Sequence, residues 1–184
     1  CEALQAGGLL AAEFTFRTEA AEEAIRRAAR EFPNLRIGAG TVLTVRDLQR
    51  AADAGARFCV APGCNPDVIE AALDLEMPFA PGVCTPTDID RAVSLGLREL
   101  KFFPAEAAGG VPMLKAVSAP FRHLDLLFCP TGGIKADNMM SYLRLPQVAV
   151  VGGSWLAPSD VVKARDWKTV ERLASEAVAL LAKT

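Results

Sequence analysis

The sequence predicts an α/β fold of parallel strands covered by helices, and three observations predict it. Short apolar runs alternate with helix-like segments from end to end. Proline or glycine follows run after run, as in "APG" at 61–63, "APG" at 80–82, "FFP" at 102–104 and "CPTGG" at 129–133. No linker or low-complexity segment interrupts the alternation. Parallel strands need crossover helices, and such a sheet is buried on both faces, so this alternation is its sequence form. With 184 residues, 51% of them hydrophobic, the chain can bury the core of one domain, expected to span 1–184.

The elements follow in order. "LLAAEFTF" (9–16) is the first candidate strand, and "EAAEEAIRRAAREF" (19–32) is a helix with Ala21, Ile25, Ala28 and Phe32 on one face. "RIGAG" (36–40) leads to the helix "TVRDLQRAADAG" (44–55), closed by a glycine. "RFCVA" (57–61) leads to "NPDVIEAALDLE" (65–76), opened by an asparagine and a proline. "PFAPG" (78–82), "ELKFF" (99–103), "LLFCP" (126–130) and "VAVVG" (148–152) complete the strands. "GGVPMLKAV" (109–117) reads as a helix start, a further helix is expected near Ala136, and the last runs from about Trp167 to Lys183 through Val170, Leu173, Ala177 and Leu181.

Seven such units, with "CEALQAGG" at the start resembling the tail of a helix, fit a TIM-type (βα)8 barrel whose first strand lies before residue 1. The rival, an open doubly wound sheet, would usually show a GxGxxG loop after an early strand, and none occurs.

Composition narrows the function. The net charge is −2 with both signs mixed along the chain, which suggests neither nucleic acid nor an anionic membrane as partner. Mean hydropathy is +0.23, yet no apolar run approaches the roughly 18 residues of a span. Five cysteines (Cys1, Cys59, Cys64, Cys84, Cys129) with no CxxC pair fit a reducing, cytoplasmic setting without disulfides. The one histidine, His123, excludes a zinc site built on several histidines and reads as a surface loop residue.

The carboxyl ends of the strands, where such sheets place their active-site loops, hold the candidates for chemistry. In "ELKFF", Lys101 stands where Val or Leu would stabilise the strand better, with Phe103 on its face. A buried amine is costly unless paired and tends to lose its proton, which makes it a nucleophile; a solvated residue at the mouth or the partner of an acid is the alternative. Glu106, just after it, could face inward and favour the charged form. In "EFTFRT", Glu13, Thr15 and Arg17 alternate onto one face. Glu13 and Arg17 are either a structural ion pair or an acid/base group beside a clamp for a substrate carboxylate. "PTGGIKADN" (130–138) and "VGGSW" (151–155) follow the last two strands, where barrels commonly seat a phosphate, and Ser154 adds a hydroxyl. Each Gly-Gly alone could be a tight turn. Thr41, in "GAGTVL", is a further candidate at the mouth or a cap of the next turn.

Together "EFTFRT", "GAGTVL", "APG", "FAPGVCTPTDI", "KFFPAEAAGGVPMLKA", "FCPTGGI" and "VGGSW" resemble the ordered motifs of the 2-keto-3-deoxy-6-phosphogluconate (KDPG) aldolase family, which includes 4-hydroxy-2-oxoglutarate (KHG) aldolases. Cys84 stands where members commonly carry serine. The resemblance implies a class I aldolase, free of metal and cofactor, usually a homotrimer, that cleaves a phosphorylated 2-keto-3-deoxy sugar acid to pyruvate and an aldehyde. It implies Lys101 as the Schiff-base lysine, Glu13 as the general acid/base and Arg17 at the pyruvyl carboxylate with Thr41. Pro62 and Phe103 would line the site. Thr131 would meet the substrate, and Gly132, Gly133, Gly153 and Ser154 would hold its phosphate. Two rivals are a sugar-phosphate epimerase or isomerase on a similar barrel, which needs no buried lysine facing a carboxylate, and a non-catalytic sensor of a phosphorylated acid.

Overall fold

A computed structural model describes residues 1–182. Seven strand segments lie parallel in chain order: β1 (Ala11–Thr15), β2 (Arg36–Gly40), β3 (Cys59–Val60), β4 (Phe79–Ala80), β5 (Gly82–Val83), β6 (Glu99–Phe102) and β7 (Leu127–Phe128). β1 to β4 form one sheet and β5 to β7 another. The expected strand 78–82 is divided at Pro81, which has no N–H to give to a ladder. Its carbonyl still accepts from the Lys101 N–H at 2.8 Å, and Val83 accepts from Phe103 at 3.2 Å, so the two sheets run on as one curved wall.

One expectation fails in part. Residues 148–152 do not form a strand; they make only two isolated parallel bridges, Phe128 to Val148 and Thr131 to Gly152. Among the described residues nothing pairs this segment with β1, and the wall is open there. Leu10 (77% exposed) and Val150 (53%) stand at the two sides of that opening.

Helices α1 (Glu2–Ala6), α2 (Ala20–Glu31), α3 (Val45–Asp53), α4 (Pro66–Asp74), α5 (Pro86–Ser94), α6 (Gly110–Ser118), α7 (Met139–Leu143), α8 (Ser159–Lys163) and α9 (Trp167–Leu181) cover the wall. α2 buries Ala21, Ile25 and Ala28 as its spacing predicts. Each large apolar side chain so buried contributes about 1.5–3 kcal/mol. α9 buries Val170 and Ala177 as expected and leaves Leu173 half-buried, but Leu181 is exposed and Ala174 is buried too. The cause is α1, whose closing Gly7 lies so near Ala174 that a side chain there would overlap it. Lys183, the expected end of α9, lies outside the described residues.

Capping side chains start three helices just beyond the strand ends. Thr44 accepts from the Asp47 N–H at 3.0 Å for α3, and Asn65 accepts from Asp67 at 3.1 Å for α4. Thr85 and Asp88 form a reciprocal capping box for α5. These caps keep the loops that carry Thr41 and Pro62 short. The helix expected near Ala136 begins instead at Met139, because Lys135 to Asn138 form a turn closed by the Asn138 side chain.

Candidate active site

Lys101 is 5% exposed and sits on β6 between the buried Leu100 and Phe102, which point the other way into the helical layer. Its Nζ lies 5.6 Å from the centre of the Phe103 ring and 3.7 Å from Oε1 of Glu13. That separation is within ion-pair range but beyond the 2.7–3.2 Å of a hydrogen bond. Among the described residues Glu13 is the one carboxylate paired with Lys101. Its side chain is 30% accessible, so it spans from the buried amine to the open mouth. The path is made by Gly40, where a Cβ would overlap the Glu13 carboxylate. Glu13 and Gly40 belong together because β1 and β2 pair in parallel, with Glu13 beside Gly38 and Thr15 beside Gly40.

Glu106 does not compete for the amine. Its carboxylate accepts a hydrogen bond from the Tyr142 hydroxyl instead. Arg17 is not on the strand: β1 ends at Thr15, and Arg17 lies on the bend that follows. The bend folds it back, with its N–H giving to the Thr15 carbonyl at 2.8 Å and its Nε to Thr15 Oγ1 at 3.1 Å. It therefore stays at the mouth over the face that carries Glu13 and Thr15. Thr41 lies just past β2 at φ +58°, a conformation that costs an L-residue on the order of 1–3 kcal/mol. Pro62 follows β3, and its carbonyl packs so tightly against Gly82 that no Cβ would fit there.

The loop after β7 is held by its carbonyls. Thr131 O accepts from Ala105 at 2.8 Å, Gly132 O from Glu106 at 3.0 Å, and Gly133 O from Asn138 Nδ2 at 3.1 Å. Among the described residues no group accepts from the N–H of Gly132, Gly133, Gly153 or Ser154. The loop needs glycine: Gly132 (φ +96°) and Gly133 (φ +81°) are left-handed, and a Cβ on Gly132 would press on Phe103 at 3.2 Å. Phe103 thus connects the amine on one side to the glycine loop on the other. Thr131 bridges to Gly152, which joins the two Gly-Gly segments. The helix expected near Ala136 does not start at this loop, since α7 begins at Met139 and Asn138, just before it, donates to the Gly133 carbonyl.

One residue was not singled out. Cys129 lies between Lys101 and Thr131, its Sγ 3.7 Å from Thr131 Oγ1, and burial pushes its thiol pKa up. The alternation of Cys129 with Thr131 on one face was the available signal. His123 is exposed in a 3-10 turn, away from these residues. The arrangement provides a buried amine, a carboxylate that reaches both it and solvent, a cation at the rim, and a set of unpaired N–H groups beyond an aromatic ring. It can take a molecule with an anion at each end and a carbonyl between them.

The comparisons with known proteins agree with that chemistry. The family model described as KDPG and KHG aldolase matches residues 1–173. The chain is 50% identical over 177 residues to a 2-dehydro-3-deoxy-phosphogluconate aldolase of Pseudomonas aeruginosa, covering 96% of this chain and 80% of that protein. It is 45% identical over 177 residues to a KHG/KDPG aldolase of Escherichia coli, covering 96% and 82%. A crystal structure of a KDPG aldolase from Legionella pneumophila, with pyruvate captured as a covalent carbinolamine, superposes with a TM-score of 0.91 at 42% identity over 96% of this chain and 84% of that one.

Proposed function

The chain belongs to the KDPG and KHG aldolase family, and from that premise we propose that Lys101 is the amine on which its reaction runs. The enzyme is a lyase, a Schiff-base aldolase that cleaves 2-keto-3-deoxy-6-phosphogluconate to pyruvate and glyceraldehyde 3-phosphate. The observation that carries the residue assignment is the buried Nζ of Lys101 with the Glu13 carboxylate 3.7 Å away. An epimerase or isomerase needs no such pair.

The geometry supports the following steps. Glu13 takes a proton from the ammonium, and the free amine of Lys101 attacks the C2 ketone to give a carbinolamine. Glu13 returns a proton to the hydroxyl, which leaves as water, and the iminium remains. Glu13 then removes the C4 hydroxyl proton; the C3–C4 bond breaks, its electrons flow into the iminium as an enamine, and the aldehyde departs. Protonation of C3 and hydrolysis release pyruvate and restore the lysine. Glu13 serves at every proton step because, among the described residues, it is the one carboxylate paired with the amine, and its side chain also reaches the opening. Arg17 and Thr41 hold the pyruvyl carboxylate at the rim, and Thr131 meets the middle of the substrate. The N–H groups of Gly132, Gly133, Gly153 and Ser154 receive the phosphate. Pro62 and Phe103 wall the cavity, and the two fixed ends align the C3–C4 bond with the iminium π system.

Further parts of the reading rest on the family resemblance. We propose that 1–184 is one domain, that its strands belong to a closed (βα)8 barrel, and that the enzyme works in the cytoplasm as a homotrimer. The parallel bridges of Val148 and Gly152 support closure, since they extend the wall beyond β7. Among the described residues no helix is long and apolar enough to cross a membrane. Activity on 4-hydroxy-2-oxoglutarate is also proposed, because the cleaved half of that molecule is the same.

The test is a pyruvate-release assay on the native chain and on Lys101→Met. Native protein is expected to release pyruvate from the 6-phosphogluconate derivative, and Lys101→Met to lose nearly all turnover while staying folded. Ligand binding without turnover in the native protein would support the sensor instead.

A further inference from the structure

We propose that Glu106 and Tyr142 are positioning residues for the phosphate end of the substrate, bracing the Thr131–Gly133 loop from below. The inference rests on the reading that this loop receives the phosphate. Glu106 supports the loop twice. Its N–H donates to Gly132 O at 3.0 Å, and its side chain lies against Gly133 so closely that an added Cβ would meet Glu106 Cβ at 2.6 Å and Cγ at 2.8 Å.

A carboxylate this near an anion site is unfavourable unless it is aimed elsewhere. Tyr142 does the aiming. It is fully buried on α7, and its hydroxyl donates to Glu106 Oε1 across 36 positions of sequence. Gly110, at φ +64°, leaves the room: a Cβ there would stand 3.4 Å from both Glu106 Oε1 and the Tyr142 oxygen. Burial, with Glu106 adding to it, pushes the phenol's pKa up, so the hydroxyl remains a donor over the working range of pH.

The same helix is tied to the loop from its other end, since Asn138, just before α7, donates to Gly133 O at 3.1 Å. A shallow cavity lined by Glu106, Gly133, Lys135, Asp137 and Asn138 opens beside the pair. A Glu106 carboxylate released from Tyr142 can therefore swing toward the N–H groups of Gly132 and Gly133. There it would occupy the donors the phosphate needs.

The experiment compares native enzyme, Tyr142→Phe, Glu106→Gln and the double variant. It measures steady-state kinetics on the phosphorylated sugar acid, inhibition by inorganic phosphate, and borohydride trapping by pyruvate, which has no phosphate. Circular dichroism checks folding. Tyr142→Phe is expected to raise KM and weaken phosphate inhibition about tenfold, with kcat and pyruvate trapping unchanged. Adding Glu106→Gln is expected to restore both, because the neutral amide does not compete for the loop. Glu106→Gln alone, which still accepts from Tyr142, should leave KM unchanged or lower, and a raised KM there would overturn the proposal even if Tyr142→Phe failed to fold. Equal losses in pyruvate trapping would show a merely structural pair. Native enzyme indifferent to inorganic phosphate would sink the loop reading itself; sensitive native enzyme with an unshifted Tyr142→Phe would sink only the role of the pair.

Discussion

Lys101 Nζ and Glu13 Oε1 stand 3.7 Å apart, at an ion-pair distance that no hydrogen bond closes. The two come from β6 and β1, on opposite sides of the open part of the wall, and meet because both point inward from their strands. A buried amine locked to a carboxylate would be inert. One held at this distance, opposite a carboxylate that also reaches solvent, can pass its proton across and accept a carbon in its place.

Glu13→Gln separates binding from proton transfer. The amide keeps the shape of the carboxylate but cannot take up a proton, so kcat is expected to fall by roughly 10²–10⁴-fold. Binding of a substrate analogue should change little. Single-turnover kinetics beside a binding titration checks this, and an unchanged kcat would remove Glu13 from the reaction.

Gly40→Ala tests the same carboxylate without altering it. The backbone of Gly40 is not left-handed, so alanine fits it, but the new methyl would occupy the space of the Glu13 carboxylate. Glu13 must swing away, and kcat is expected to fall at least tenfold, with the loss shared rather than added when combined with Glu13→Gln. Additive losses in the double variant would show that Gly40 acts elsewhere.

Asp88 provides a pH-dependent element in the cap of α5. Burial pushes its pKa up, but hydrogen bonds from the Thr85 side chain and from the N–H groups of Cys84 and Thr85, with Arg91 nearby, pull it below the ordinary carboxylate range. A depressed folded pKa gives stability that is whole above the unfolded value, about 3.9, and is lost as pH falls through the folded one. Asp88→Ala is expected to cost about 1 kcal/mol at neutral pH through loss of the capping box, and less below about pH 4. Urea unfolding at both pH values measures it. A gap of the same size at each would mean the charge is not what matters.

Much of this was legible in the chain because short-range rules govern it. Period-two alternation put Lys101 with Phe103 and Glu13 with Thr15, a glycine stop placed the end of α3, and an asparagine–proline start placed α4. What alternation could not show came from contacts distant in sequence. Pro81 divides a strand because it has no N–H to give to the ladder, yet its carbonyl continues the wall. "VAVVG" has strand composition but pairs only at Val148 and Gly152, since its other side meets no strand among the described residues. Arg17 was assigned to the face of β1 by spacing and arrives there by a bend instead. Glu106 had two possible directions in the sequence, and only Tyr142, 36 positions on, decides between them.

The most direct measurement is borohydride reduction of the enzyme in the presence of pyruvate, followed by peptide mass mapping. Stoichiometric labelling confined to Lys101, dependent on pyruvate and absent in Lys101→Met, is the expected result. Active enzyme that carries the label on another lysine, or carries none, would contradict the assignment of the reaction to this amine.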